Sequence, residues 1–275
     1  MQHLIVLTRS IDKNHHLSGL LKQSLAQVQQ SATVLSVPAL VLKPFRLSDL
    51  TDNERWSLRH LEEFDAIFCV SSSAAEYFFN LVKEGQYLIN PSTYFLCVGQ
   101  ATQAYLLQQG ISVQQIICAE KGNDSEALWR TIEHQGMVFS SVLIVRAETG
   151  REWFKHTLQQ KGIKVKTLAV YCRGPALLSN EVYQTFSHLH QQTKVQWVFT
   201  SREGVLALLP QLYSLPIFQQ LVHHQFIVIH PKIAILLKEE IARLSANQYL
   251  LKDEQIHLSP ADDQAIVSVL KASII

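Results

Sequence analysis

Leu4-Ile5-Val6-Leu7-Thr8-Arg9 returns later in the chain as Val142-Leu143-Ile144-Val145-Arg146, two short apolar runs that each end on a cation. Two further runs recur in the same order. Ala66-Ile67-Phe68-Cys69-Val70-Ser71-Ser72 matches Val195-Gln196-Trp197-Val198-Phe199-Thr200-Ser201, and Tyr94-Phe95-Leu96-Cys97-Val98-Gly99 matches Gln225-Phe226-Ile227-Val228-Ile229-His230. The offset is nearly constant: 137 positions from Arg9 to Arg146, 130 from Ser71 to Ser201 and 131 from Gly99 to His230. Ordered recurrence of this kind marks an internal duplication. It predicts two similar lobes with a cleft between them.

Between these runs the periodicity changes from strand to helix. Leu17, Leu20, Leu21, Leu25 and Val28 recur at three- and four-residue spacing, one apolar helix face, before a strand at Thr33 to Val37 closed by Pro38. The second copy follows suit, with Trp153, Phe154, Thr157 and Leu158 on a helix, Gly162 as its C-terminal cap and a strand at Val165 to Tyr171. Gly110 closes a helix over Ala101 to Gln109. Asn123-Asp124-Ser125-Glu126 and Ser259-Pro260-Ala261-Asp262-Asp263 open helices over Ala127 to His134 and Gln264 to Lys271. Strands alternating with helices predict an α/β fold whose parallel sheets are covered on both faces. The chain is expected to cross between halves near Pro38-Ala39-Leu40-Val41 and near Tyr171-Cys172-Arg173-Gly174-Pro175. Periodicity leaves open whether each copy folds on itself or exchanges its first strands with the other.

Composition narrows the class. A chain of 275 residues with 47% hydrophobic and 17% charged residues can bury a core in each of two domains and is not disordered in composition. Lys and Arg number 24 against 23 Asp and Glu, so no global field draws the chain to nucleic acid or an anionic membrane. Cys69, Cys97, Cys118 and Cys172 stand singly in or beside strand-like runs, without metal spacing, and are expected to be reduced core thiols. The apolar run Leu4 to Leu7 falls short of the ~7–15 residues of a signal-peptide core. No run approaches the ~18 apolar residues of a membrane span, so the expectation is a cytoplasmic protein. Neither G-x-G-x-x-G nor G-x-x-x-x-G-K-[ST] follows a strand, and G-x-S-x-G and H-E-x-x-H do not occur. The pairs His15-His16 and His223-His224 lack a completing ligand set, and no metal or cofactor is expected.

Parallel sheets bind ligands beyond the carboxyl ends of their strands, where helices begin. This chain places Ser71-Ser72-Ser73, Thr200-Ser201 and Gly99-Gln100-Ala101-Thr102 there. Amide groups at such helix starts, with Ser and Thr hydroxyls beside them, suit a carboxylate or phosphate; the local alternative is simple N-capping. Arg9 and Arg146 end corresponding strands, where each could clamp an acid or pair with a nearby carboxylate. Lys232, Arg173 and Arg151 are weaker cationic candidates. Tyr171 ends a strand beside a crossing, so its phenol is either a donor in the cleft or a hinge residue bonded to backbone.

Taken together these stretches resemble the uroporphyrinogen-III synthase family, over nearly the whole chain. Thr8-Arg9 is similar to the family's opening T-R-P, Val98-Gly99-Gln100-Ala101-Thr102 to V-G-x-A-T, and Leu143 to Arg151 to a strand ending in R-G-E-x-G-R. Val170-Tyr171-Cys172-Arg173 resembles V-Y-x-R, and Phe199-Thr200-Ser201 resembles F-T-S. Ser10, Ser72-Ser73 and Ala147 depart from the pattern, as do His230 and Ile233 in a stretch similar to I-G-P-x-T-A. The resemblance implies two flavodoxin-like lobes on a two-stranded linker, residues 1–38 and 174–275 forming one and 39–173, with the linker strands, the other. It implies a cofactor-independent lyase that cyclises hydroxymethylbilane, a linear tetrapyrrole bearing acetate and propionate groups, with inversion of ring D. Arg9, Ser71, Ser72, Gly99, Thr102, Arg146, Thr200, Ser201 and Lys232 are then expected to bind carboxylates, and Tyr171 to assist departure of the hydroxyl. A monomer is expected, with hand-over of substrate from hydroxymethylbilane synthase and no nucleic-acid or membrane partner. The departures at His230 and Ile233 motivate a second reading, a non-catalytic bilobal protein binding an anionic small molecule or tetrapyrrole. A protein-interaction module has little behind it, since no coiled-coil heptad or long apolar stripe occurs.

Overall fold

Each apolar run quoted above forms a strand, and the segments between them form helices. The structure, a computed structural model, describes residues 3–122, 124–190 and 192–272. The chain begins β1 His3–Leu7, α1 Ile11–Ala26, β2 Thr33–Ser36, β3 Leu40–Pro44, α2 Asp52–Arg59, β4 Ala66–Cys69 and α3 Ser72–Glu84. There follow β5 Tyr94–Cys97, α4 Gln100–Gln108, β6 Ile116–Cys118, α5 Ser125–His134, β7 Ser141–Ala147, α6 Trp153–Gln160 and β8 Lys164–Pro175. It ends with α7 Asn180–Ser187, β9 Lys194–Phe199, α8 Arg202–Tyr213, α9 Pro216–Gln220, β10 Gln225–Val228, α10 Pro231–Leu244, β11 Ile256–Leu258 and α11 Asp263–Ala272.

The chain divides into two compact units, one running up to Val41 and resuming at Gly174, the other Leu42–Arg173. In the first, the strand order is β11-β10-β9-β1-β2 and all four pairings are parallel. In the second it is β3-β8-β7-β4-β5-β6, with β8-β7-β4-β5-β6 parallel throughout. Setting β7, β8, β4, β5 and β6 against β1, β2, β9, β10 and β11 makes the two orders one and the same. That order, 2-1-3-4-5, belongs to flavodoxin-like doubly wound sheets. Leaving β3 at the edge of the second sheet aside, each sheet therefore takes two strands from one half of the sequence and three from the other, so the halves do not fold each on itself. The border between the units falls within β3 and near the end of β8.

Burial on both faces accounts for the continuous apolar strands. In the first unit, Leu4 and Val6 of β1 point with Trp197, Phe199, Phe226 and Val228 toward α8 and α10. Ile5 and Leu7 point the other way, with Val198 and Ile227, against Leu17, Leu21 and Leu25 of α1 and Ile266 and Leu270 of α11. The second unit repeats the arrangement: Ile67, Phe95 and Val145 meet Phe78 and Leu81 of α3, while Phe68, Leu96 and Ile144 meet Leu128 of α5 and Phe154 of α6. Among the described residues no single helix is long and apolar enough to cross a membrane. α8 followed by Pro216–His223 is long and apolar enough only as a pair, and that pair bends by 113° and buries Leu208, Leu209, Phe218 and Leu221 in the first unit's core.

Local signals set the helix ends. Gly110 and Gly162 take φ of 85° and 79° just beyond α4 and α6, the left-handed conformation that closes a helix at little cost only for glycine. Asp124 caps α5 by accepting from the Ala127 amide at 2.7 Å; Asn123, its neighbour in the expected capping segment, lies outside the described residues. Asp262 does the same for α11, accepting from Ala265 at 2.8 Å.

Candidate functional site

In the first unit the carboxyl ends of β1, β9 and β10 carry the expected residues. Thr8 donates its hydroxyl hydrogen to the Val198 carbonyl at 2.7 Å, tying the end of β1 to β9. Asn14, 1% exposed on the otherwise apolar face of α1, accepts from the Arg9 amide at 3.1 Å and donates to the Leu7 and Arg9 carbonyls at 2.9 Å. This clasp fixes the turn from strand to helix and aims Arg9. The Arg9 guanidinium is paired with Asp263 at the start of α11, and His16 meets the other carboxylate oxygen at 2.7 Å. Burial works against the Asp263 charge, but the hydrogen bonds and charges of Arg9 and His16 outweigh it and hold the carboxyl below the usual range.

Two further turns complete this end of the sheet. Ser201 is the N-cap of α8, accepting from the Gly204 amide at 3.0 Å, with half-buried Thr200 before it. Having accepted that bond, the Ser201 hydroxyl still carries a hydrogen to donate. His230 is the N-cap of α10, its Nδ1 accepting from the Lys232 amide at 3.1 Å, with Pro231 in the first helical turn. Lys232 itself is exposed and makes no ion pair among the described residues. The same is true of Arg202, the first residue of the neighbouring helix α8, which the sequence reading passed over although it directly follows Thr200-Ser201.

The second unit presents the corresponding set. Ser71 caps α3 by accepting from Ala74 at 3.1 Å, and Ser72 opens that helix half-buried. Gly99 caps α4 with no side chain; its φ of −147° suits any residue, and a Cβ there would meet nothing within 4 Å. The fold thus has no need of glycine at this point, and in the first unit the matching position is His230. Thr102 is 4% exposed beneath the turn, and its counterpart Ile233 is 4% exposed in the other core. Both side chains are buried in the first turn of their helices.

Arg146, only 9% exposed, holds its own loop together. Nε donates to the Ala147 carbonyl and Nη1 to the Arg151 carbonyl, both at 3.2 Å, while Nη2 pairs with Glu152 at 2.6 Å. Burial raises the Glu152 carboxyl, yet the bonds and charges of Arg146 and Lys155 bring it below its ordinary value. Both strand-end arginines are therefore matched with an acid, Asp263 in one unit and Glu152 in the other. Tyr171 is 4% exposed and follows a bulge in the β7–β8 ladder, where Arg146 faces Ala169 but Ala147 faces Tyr171. Such bulges re-aim a side chain. The Tyr171 ring packs edge-on to Tyr77 at 5.5 Å, and its hydroxyl has no hydrogen-bond partner among the described residues. The Tyr77 phenol is pushed up by burial, then by Glu76 and Tyr171.

A cavity of about 550 Å³ lies elsewhere, along the later turns of α3 and α4, lined by Phe79, Lys83, Tyr87, Leu88, Tyr105 and Gln109. It is at the far end of those helices from Ser71 and Gly99. The expected ligand residues fall instead at strand ends and helix starts of both units: Arg9, Thr200, Ser201 and Lys232 in the first, and Ser71, Ser72, Gly99, Thr102, Arg146 and Tyr171 in the second, where Thr102, Arg146 and Tyr171 are buried.

A solved mutant uroporphyrinogen III synthase from Thermus thermophilus is similar in fold, with a TM-score of 0.51 at 10% identity over 98% of this chain and 98% of that one. A uroporphyrinogen-III synthetase from Helicobacter pylori shares 15% identity over 99% of this chain and 100% of its own, with a TM-score of 0.45. A family model described as HEM4, uroporphyrinogen-III synthase HemD, matches residues 23–246. That match spans well over half of the sequence and takes in every expected ligand residue except Arg9, and on it the chain belongs to the uroporphyrinogen-III synthase family, lyases of tetrapyrrole biosynthesis.

Proposed function

We propose that this chain closes hydroxymethylbilane to uroporphyrinogen III by holding the substrate's carboxylates on the helix starts of both units. The family match over residues 23–246 carries the activity. The residue assignment is supported by four helices, α3, α4, α8 and α10, that each begin at a strand's carboxyl end, three of them with a side-chain cap and α4 with Gly99 in its place. Helix N-termini favour anions through their free amides and dipole. Ser71, Ser72, Thr200 and Ser201 add hydroxyl donors, and Lys232 and Arg202 supply exposed charge. Gly99, whose own fold leaves room for a side chain, admits close approach of a substrate group to backbone. Arg9 and Arg146, already matched with acids, act chiefly by shaping their turns, and Thr102 by supporting Gly99.

In this reading the substrate loses its terminal hydroxyl as water to give an azafulvene. Attack at the substituted carbon of the last ring forms a spiro intermediate, which fragments and recloses with ring D inverted. Free hydroxymethylbilane also cyclises without inversion, so the protein's task is to hold one folded geometry rather than to supply a strong acid and base. Tyr171, its phenol unpaired beside Tyr77, donates a hydrogen bond to the departing hydroxyl. Tyr171→Phe is expected to lower kcat about tenfold or more with KM little changed; unaltered kcat removes that role.

The recurrence of sequence together with the common strand order supports an ancestral duplication whose copies exchanged strands. The resemblance extends this to two lobes on a linker made by β3 and β8, with the substrate cleft between them and closure on binding. A monomer in the cytoplasm, receiving its substrate from hydroxymethylbilane synthase, completes the proposal. Scattering profiles with and without uroporphyrinogen III test closure, and identical profiles count against it.

A further inference from the structure

Three adjacent strands of the second unit, β4, β5 and β6, each end on a cysteine: Cys69, Cys97 and Cys118. Cys97 and Cys118 are register partners in the parallel β5–β6 ladder. Adjacent strands lie about 4.8 Å apart, within the ~4.4–6.8 Å between Cα atoms that a disulfide spans. Register partners also share a face. Cys97 lies in the core beneath α3 and α4, and Cys118 packs against that same core, so the two thiols are neighbours on one face of the sheet.

Exposure distinguishes the members of the row. Cys69 and Cys97 are buried, whereas Cys118 is half-buried on β6, the edge strand of its sheet. Burial, and then contact with Cys118, pushes the Cys97 thiol up, so first attack on an oxidant falls to Cys118. Cys172 stands on β8, beyond β7 and β4 in the sheet, and is no partner for either. Among the described residues no three His, Cys, Asp or Glu side chains are grouped to hold a metal ion, so the row is a set of thiols rather than a metal seat.

We propose that Cys97 and Cys118 are a peroxide-sensitive dithiol, a modification site that the tetrapyrrole chemistry does not use. The Cys118 sulfur attacks hydrogen peroxide, breaking the O–O bond and keeping one oxygen as a sulfenic acid, while the other leaves as water with the thiol proton. The Cys97 sulfur then displaces the retained oxygen, which departs with the Cys97 proton as a second water. One peroxide and two thiols become one disulfide and two waters, the sulfurs giving up two electrons. In-register parallel strands hold Cβ atoms farther apart than the ~3.8 Å mean of disulfides, so the bond forms under strain and reduces readily.

The test treats the full chain with hydrogen peroxide, alkylates it under denaturing conditions and maps its peptides. Free thiols are expected to fall from four to two, with the Cys97 peptide joined to the Cys118 peptide, and dithiothreitol to restore all four. Under the same treatment Cys118→Ser is expected to keep its remaining three thiols. Mapping of the unsubstituted protein decides the matter even if that variant folds poorly. Cys118 found as sulfinic acid with Cys97 still free, Cys97 joined to Cys69, or all thiols untouched would each overturn the proposal.

Discussion

His224 gives the first unit a built-in sensitivity to acid. It is 2% exposed, its Nδ1 accepts a hydrogen bond from the Trp197 indole at 3.0 Å, and Gln255 donates to its carbonyl at 2.9 Å. Burial, with a smaller contribution from His223, lowers its pKa from 6.5 to about 3. The folded imidazole is therefore neutral, with Nε2 carrying the hydrogen, while an unfolded one titrates near 6.5. Between those values the unfolded state binds the extra proton, so stability falls as pH falls. The cost from this one group is about 1 kcal/mol at pH 5.5 and about 3 kcal/mol at pH 4.5, against a total of roughly 5–15 kcal/mol for an ordinary fold. His224→Asn removes the titration and offers the indole an oxygen in place of Nδ1. Urea unfolding followed by circular dichroism at pH 7.5, 6.5, 5.5 and 4.5 measures both proteins. The stability advantage of the parent over the variant should shrink by about 1.4 kcal/mol per pH unit below 6.5. Parallel pH profiles would place the acid sensitivity in other groups and refute the assignment.

Three further outcomes follow from the turns. Ser201→Ala removes the cap of α8 and is expected to cost about 1 kcal/mol in urea unfolding while also raising KM, since cap and proposed ligand donor are one hydroxyl; an effect on neither discards both roles. Arg202→Gln and Lys232→Gln should each raise KM by roughly fivefold with kcat nearly unchanged, and the double variant should lose most of the salt dependence of KM. A fall in kcat alone contradicts a binding role. Thr102→Val, the change toward its counterpart Ile233, should leave kcat and KM within about twofold and stability within about 1 kcal/mol, because the hydroxyl has no hydrogen-bond partner among the described residues to lose; a large rise in KM would mean that the Thr102 hydroxyl reaches the substrate after all.

The strands are readable in the sequence because burial on both faces demands unbroken apolar runs, and a run as short and continuous as Leu4 to Leu7, bounded by a polar turn, suits a buried strand. Recurrence then pairs strands in the right order, β1 with β7, β4 with β9 and β5 with β10. The exchange of strands between halves is not readable from periodicity, because it depends on which sheet a run joins and each run is apolar enough for either; only the family resemblance implies it. Boundaries shift where local chemistry rules: β8 runs to Pro175 rather than ending at Tyr171, past the bulge that turns Tyr171. At the site, Ser71 and Ser201 are visible as hydroxyls between strand and helix. Asp263, the partner of Arg9, lies 254 residues away, a separation periodicity cannot bridge. Asn14 does leave a signal, a polar residue one turn before Leu17 on the apolar stripe of α1. His230 shows as a departure from a glycine, and its role as the cap of α10 emerges only with the geometry of its ring nitrogen.

The most direct test of the account feeds freshly generated hydroxymethylbilane to the purified chain, without added metal or nucleotide, then oxidises the products and separates the type I and type III porphyrin isomers. The account predicts predominantly type III. Type I alone, at the rate of the protein-free control, would contradict it and leave a family member that binds tetrapyrroles without inverting a ring.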